Sequence, residues 1–158
     1  MTFPPVWSPD AKILILGTYP SPKSREIGFY YGHPQNRFWP LMAELLDSEL
    51  PETTEARREL LIRNRISIWD VLESCDITGA SDSSIQNPVL NDLGTIIFGT
   101  GIEKVYANGS KAGQLFRHFM KQHESVPFRQ LPSTSPANAS YGFARLAEEW
   151  SCILEHLR

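Results

Sequence analysis

Four apolar residues in succession, Ile13, Leu14, Ile15 and Leu16, are followed at once by Gly17 and a run of loop-forming residues. Successive side chains of a strand point to opposite faces, so a strand that is apolar at every position must be covered on both. A sheet with helices packed on each side meets that demand. The strand is expected over Lys12–Leu16. Three further short strands are expected at Ile66–Val71, Lys104–Ala107 and Phe128–Leu131, the first of them alternating and β-branched. Between them apolar residues recur with a helical period. From Arg37 onward, Phe38, Leu41, Met42, Leu45 and Leu46 form one helix face, and Pro40 is tolerated in the first turn. Glu55–Arg63 reads as a short charged helix with Leu60, Leu61 and Ile62 inward. The helix after Asn108, Gly109 and Ser110 carries Ala112, Leu115, Phe116, Phe119 and Met120 on one face. The last, from about Phe143, buries Leu146, Ala147, Trp150, Ile153, Leu154 and Leu157. The predicted fold is therefore α/β, a three-layer α/β/α sandwich with a central four-stranded parallel sheet.

Two segments read less cleanly. Asp76 to Asn87 is small, polar and turn-rich, and is expected to be a loop. In Leu90–Phe98 the residues Thr95, Ile96, Ile97 and Phe98 favour a strand, yet Asn91 could cap a helix ending at Gly99.

The chain has 158 residues, 41% of them hydrophobic, enough to bury a core in one domain spanning 1–158. No apolar run approaches a membrane span, and the N-terminus lacks a signal-peptide pattern. Cys75 and Cys152 are too few for a zinc or iron–sulfur site and read as free thiols of a reducing, cytoplasmic compartment. No metal or cofactor is expected. There is no nucleophile elbow, no phosphate-binding P-loop and no H-E-x-x-H helix. His33, His118 and His123 read as loop or surface residues.

The long loop after Leu16 concentrates the chemistry. It holds Tyr19, Phe29, Tyr30, Tyr31 and His33 between Pro20, Pro22, Gly28, Gly32 and Pro34, and ends at Asn36, where a helix starts. Open α/β sheets bind ligands at such strand ends. Rings and amides together suit a flat, hydrogen-bonding ligand such as a nucleobase. By position alone, Asn36 reads first as a helix N-cap.

The strings GTYPS (17–21) and YYGHPQNRFW (30–39) resemble the first motif of the uracil-DNA glycosylase superfamily, in particular its hypoxanthine-DNA (deoxyinosine) glycosylase branch. The mismatch-specific uracil/thymine relatives share the second string's HP-x-NRFW but carry Asn at the position of Tyr19. Trp69, Asp70 and Val71, with Cys75 beyond, resemble a second family segment, and Asn108, Gly109 and Lys111 a third. The resemblance tips Leu90–Phe98 to a helix.

The resemblance implies a cofactor-free glycosylase that flips a deaminated base, chiefly hypoxanthine, out of double-stranded or single-stranded DNA. Asn36 would be catalytic, its carboxamide oxygen holding the attacking water. Gly17, Thr18, Tyr19, Tyr31 and Asn108 would bind the base, with Tyr31 stacked on it. Ser133, Thr134, Ser135, Pro136, Ala137 and Asn138 match the loop that enters the minor groove and pinches phosphates. Pro20, Ser21, Lys23 and Arg37 would complete the DNA contact of a monomer. Neither Ala137 nor Ala139 is bulky enough to fill the gap a flipped base leaves. A formal net charge of −3 sits awkwardly with phosphate binding and demands a locally basic face.

Overall fold

The computed structural model describes residues 2–76, 85–119 and 126–157, the side chain of Phe119 excepted. Its central sheet contains β1 (Ile13–Gly17), β2 (Ile66–Asp70), β5 (Lys104–Asn108) and β6 (Phe128–Leu131) in the order β2-β1-β5-β6, every pair parallel. All five residues of β1 are buried, as an apolar strand at the middle of a covered sheet requires. The edge strand β2 is closed off by the N-terminal segment, where Val6 and Ile68 exchange backbone hydrogen bonds of 3.0 and 2.9 Å.

Helices cover both faces. On one, Ile13, Ile15, Ile66, Ile68 and Tyr106 meet Phe38, Leu41 and Met42 of α2 (Phe38–Leu45), Leu60 and Leu61 of α3 (Thr54–Arg63), and Leu146 and Trp150 of α6 (Phe143–Trp150). On the other, Leu14, Leu16 and Val105 meet Leu93, Ile96 and Ile97 of α4 (Leu93–Gly99) and Leu115 and Phe116 of α5 (Ser110–Phe119). The expected three-layer sandwich is thus the observed one, and the ambiguous segment is a helix. Asn91 does not cap it. Its amide donates instead to the carbonyl of Asp70 at 2.8 Å, tying α4 to the end of β2.

Several local expectations are corrected. Part of the loop expected over Asp76–Asn87 is strand: β3 (Leu72–Asp76) pairs antiparallel with β4 (Gln86–Leu90), two exposed strands with register shifts. The remainder of that loop, 77–84, lies outside the described residues, as do Met120 and His123. Ile62 faces solvent, 38% exposed, because Leu60 and Leu61 already fill the inner face of α3. The terminal helix tightens into a 3-10 turn over Ser151–His156, with Ile153 buried and Leu154 and Leu157 packed against the core. Inside the proline-rich loop stands a short helix, α1 (Pro22–Ile27), begun by Ser21, whose hydroxyl accepts from Ser24 N–H at 3.1 Å.

The strand order reverses between β1 and β5, which makes their carboxyl ends the switch point of the sheet. Alternation along each strand puts Asp70, Gly17, Asn108 and Leu131 on the same face as the first cluster. These four side-chain positions form one row across the carboxyl edge of the sheet.

Candidate active site

The site is assembled from three segments that meet on this row. Asn108 ends β5, and its amide exchanges two hydrogen bonds with Thr134: Nδ2 donates to the Thr134 hydroxyl at 3.0 Å and Thr134 N–H donates to Oδ1 at 3.0 Å. The Thr134 hydroxyl in turn donates to Oδ1 of Asn36 at 2.8 Å. The same Asn36 oxygen accepts the N–H of Phe38 at 2.9 Å from one residue ahead of the expected position, since Arg37 and not Asn36 is the N-cap residue of α2. Gly109, at φ +100°, lets the chain leave β5 close to the Ser133 loop, since a Cβ there would stand 3.1 Å from Ser133 Cβ.

Tyr31 lies on the same face. Its ring stacks on Phe38 with centroids 4.2 Å apart, and Phe38 is held edge-on by Trp39 and Trp150. The two indoles anchor the flanking loops, Trp39 donating to the Tyr30 carbonyl and Trp150 to the Pro132 carbonyl, both at 2.9 Å. Buried Ser24 does the same for α1, accepting from Gly32 N–H at 2.9 Å. Tyr31 has a φ of +52°, a conformation that tyrosine adopts only under constraint. Its hydroxyl is buried near the Asn108 amide and the Asp70 carboxyl, and burial raises its pKa above the ordinary tyrosine value.

The chain beneath Tyr31 contains a residue to which the sequence reading gave no role at the site. Asp70 is the register partner of Gly17 and is 4% exposed. Burial pushes its carboxyl up to about 7, and its Oδ2 has no hydrogen-bond partner. Glycine at position 17 makes the room: a Cβ there would lie 2.5 Å from Asp70 Oδ1 and 3.0 Å from the Tyr31 hydroxyl. One signal was available. Asp70 is the sole charged residue of β2 and falls in phase with Ile66 and Ile68.

Several expected contact residues are otherwise engaged. Arg37 spends its guanidinium inside the protein: Nε donates to the Thr134 carbonyl at 3.3 Å, and the terminal nitrogens donate to the carbonyls of Ser135, Asn138 and Tyr141. It clamps the 133–141 loop instead of facing phosphate. Thr134 is fully buried, so its hydroxyl serves Asn36 and not DNA. Pro20 is buried, and half-buried Ser21 spends its hydroxyl capping α1. The side chain of Asn138 folds back to donate to the Ser133 carbonyl at 3.1 Å. Tyr19 packs toward the second cluster beneath the Arg25 guanidinium, 5.6 Å from its ring centre, and no ring contact joins it to Tyr31 among the described residues. The carbonyls of Gly17 and Thr18 accept from Val71 and Leu72. Ser133 and Ser135 remain half-buried, Pro136 borders them and Ala137 is exposed; the serine oxygens accept backbone N–H groups within the loop. Lys23 is half-exposed and paired with Glu26 at 3.6 Å. Among the described residues, no cluster of three metal-ligating side chains occurs.

A parallel sheet read at its switch point, an amide at the start of a helix and a serine–proline loop joined to it define a class. The chain belongs to the uracil DNA glycosylase superfamily, whose family model matches residues 4–157. Among individual relatives, the protein named hypoxanthine DNA glycosylase in Methanosarcina acetivorans is 32% identical over 156 residues, covering 98% of this chain and 97% of that one. Its namesake in Methanosarcina barkeri is 34% identical over 114 residues, covering 71% and 72%. The solution NMR structure of a candidate uracil DNA glycosylase from Methanosarcina acetivorans superposes with a TM-score of 0.85 at 31% identity, covering 99% of this chain and 96% of that one.

Proposed function

We propose that this chain is a single-domain, monomeric, intracellular DNA glycosylase that hydrolyses the N-glycosidic bond of deoxyinosine in DNA and releases hypoxanthine. The observation that carries the reading is the polar row Asn108–Thr134–Asn36 set beside the stacked pair Tyr31 and Phe38. A flipped base needs a ring to lie on and a polar group at its sugar. Tyr31 offers the ring, and a base stacked on an aromatic gains roughly 1–3 kcal/mol. Asn36 offers the polar group. The choice of hypoxanthine follows the two curated relatives and the presence of Tyr19 where the mismatch-specific relatives have Asn. A phenol there lacks the amide those relatives use on water. Double-stranded DNA is the substrate proposed, with Lys23 and the Ser133–Ala137 loop at its backbone.

The test is incubation with end-labelled duplexes carrying hypoxanthine, xanthine, uracil or ethenocytosine, followed by hot alkali. Cleavage at hypoxanthine well ahead of uracil supports the reading. Equal or faster release of uracil assigns the enzyme to uracil repair, which the description of the solved relative favours. Tight binding without strand breaks makes the protein a damage-binding module.

A further inference from the structure

The side-chain oxygen of Asn36 is already committed. It accepts from the Phe38 N–H at 2.9 Å and from the Thr134 hydroxyl at 2.8 Å. An amide oxygen has two lone pairs, so both are used. A backbone N–H is a donor in every state, so its contact settles which end of the amide is oxygen. Thr134 is fixed in the same way. Its oxygen takes the Asn108 amide proton, and its own proton goes to Asn36. What Asn36 has left is Nδ2, whose hydrogens reach no acceptor among the described residues.

We infer that Asn36 acts as a hydrogen-bond donor toward the departing purine, not as an acceptor for water, and that Thr134 is the positioning residue that turns the amide this way. The inference rests on the glycosylase reading and revises the role that reading first gave to Asn36. In the reaction the C1′–N9 bond breaks and its electron pair leaves with hypoxanthine. The oxygen of water bonds to C1′, and the proton it loses ends on the released base. Negative charge therefore grows on the purine, and a fixed N–H aimed at one of its acceptors is stronger in the transition state than before it. An amide nitrogen donated to water would instead draw electron density from the nucleophile. The donor role is the one that helps.

The decisive variant is Asn36→Asp, which keeps the shape and the two accepted bonds but presents an oxygen where Nδ2 was. Single-turnover excision of hypoxanthine is followed from pH 8 to pH 5 for parent and variant, with duplex affinity and melting temperature measured alongside. As a carboxylate at pH 8 the variant has no donor, and a loss of roughly 10²–10³-fold is expected. Its rate relative to the parent should then hold level until about pH 6–7 and rise below it, as the donating carboxylic acid form, growing about tenfold per pH unit, outweighs the residual rate. The parent's rate at pH 8, or a relative rate flat across the range, overturns the inference. A parent that leaves hypoxanthine in place overturns the glycosylase reading and takes this inference with it. A second pair addresses Thr134. Thr134→Val removes the hydroxyl at nearly constant shape and should lower kcat by up to about a hundredfold with KM little changed, whereas Thr134→Ser should restore it. Equal rates for Val and Ser would remove Thr134 from the mechanism.

Discussion

A Cβ on Gly17 would stand 2.5 Å from Oδ1 of Asp70, its register partner on the neighbouring strand. No real Cβ comes so close to an oxygen, so the glycine exists for the carboxyl beside it. Gly17→Ala forces buried Asp70 or Tyr31 to move, and overpacking of this kind costs typically about 1–3 kcal/mol. Adding Asp70→Ala to Gly17→Ala removes the obstructing oxygen. The double variant is expected to melt higher than Gly17→Ala alone, by differential scanning calorimetry. A double variant that melts lower still would mean that the two positions do not share the space.

Asp70 also predicts a dependence on pH. Its folded pKa of about 7 lies above the ordinary carboxyl value of 3.8, so between the two the folded state holds a proton that the unfolded state has released. Stability from this residue is undiminished below pH 4, declines as pH rises toward 7, and is level beyond. Between those limits each pH unit costs up to about 1.4 kcal/mol. The groups facing it are the Tyr30 and Tyr31 hydroxyls, and no ion pair reaches it among the described residues. Asp70→Asn has no proton to lose. It should match the parent's denaturation midpoint near pH 4 and exceed it at pH 8; identical curves at both values would show that Asp70 is not held neutral.

Arg37 separates a structural clamp from a phosphate contact. Its donors are taken by four backbone carbonyls of residues 134–141. Arg37→Gln should lower stability by roughly 1.5–3 kcal/mol, as loss of charge-assisted bonds does, and speed amide exchange at Asn138 and Tyr141. The slope of log affinity against log salt for lesion duplex should be unchanged. A slope shallower by about 1 would place the guanidinium on a phosphate.

The bond from Asn36 to the start of α2 and the donor role proposed for its amide can be parted. Asn36→Ala loses the bond to Phe38 N–H and is expected to cost roughly 0.5–2 kcal/mol. A serine hydroxyl can still accept from that N–H but carries no amide. Asn36→Ser should melt near the parent, bind lesion duplex, and lose most single-turnover excision of hypoxanthine. Excision at the parent's rate would leave Asn36 with its bond to α2 alone and move the search to Asn108.

Phosphate binding by an acidic protein predicts its own signature. Lys23 stands half-exposed on α1, and the Arg145 guanidinium sits 4.1 Å from the Tyr141 ring centre at the far end of the clamped loop. Affinity for lesion duplex should fall steeply with added salt, and Lys23→Ala with Arg145→Ala should flatten the slope. A flat slope in the parent would place the DNA-binding surface elsewhere.

The layers of this fold were legible in the chain because burial writes itself locally. β1 must be covered on both faces since Ile13, Leu14, Ile15 and Leu16 leave no polar side, and α2 shows its inner face through Phe38, Leu41 and Met42. The short motif around Asn36 was equally readable, since a loop at a strand end followed by a helix start is a local pattern. The hairpin of β3 and β4 was not, because exposed strands such as Gln86–Leu90 carry no apolar period to betray them. What the side chains do at the site was beyond any local pattern. Thr134 meets Asn36 across 98 residues, Arg37 reaches Tyr141 across 104, and Asp70 finds its room over Gly17 only when β1 and β2 pair. Sequence period sets which side of an element is buried. Which donors and acceptors are spent on the protein, and which stay free for a substrate, is decided only where distant segments satisfy one another in a space too small for water to do it.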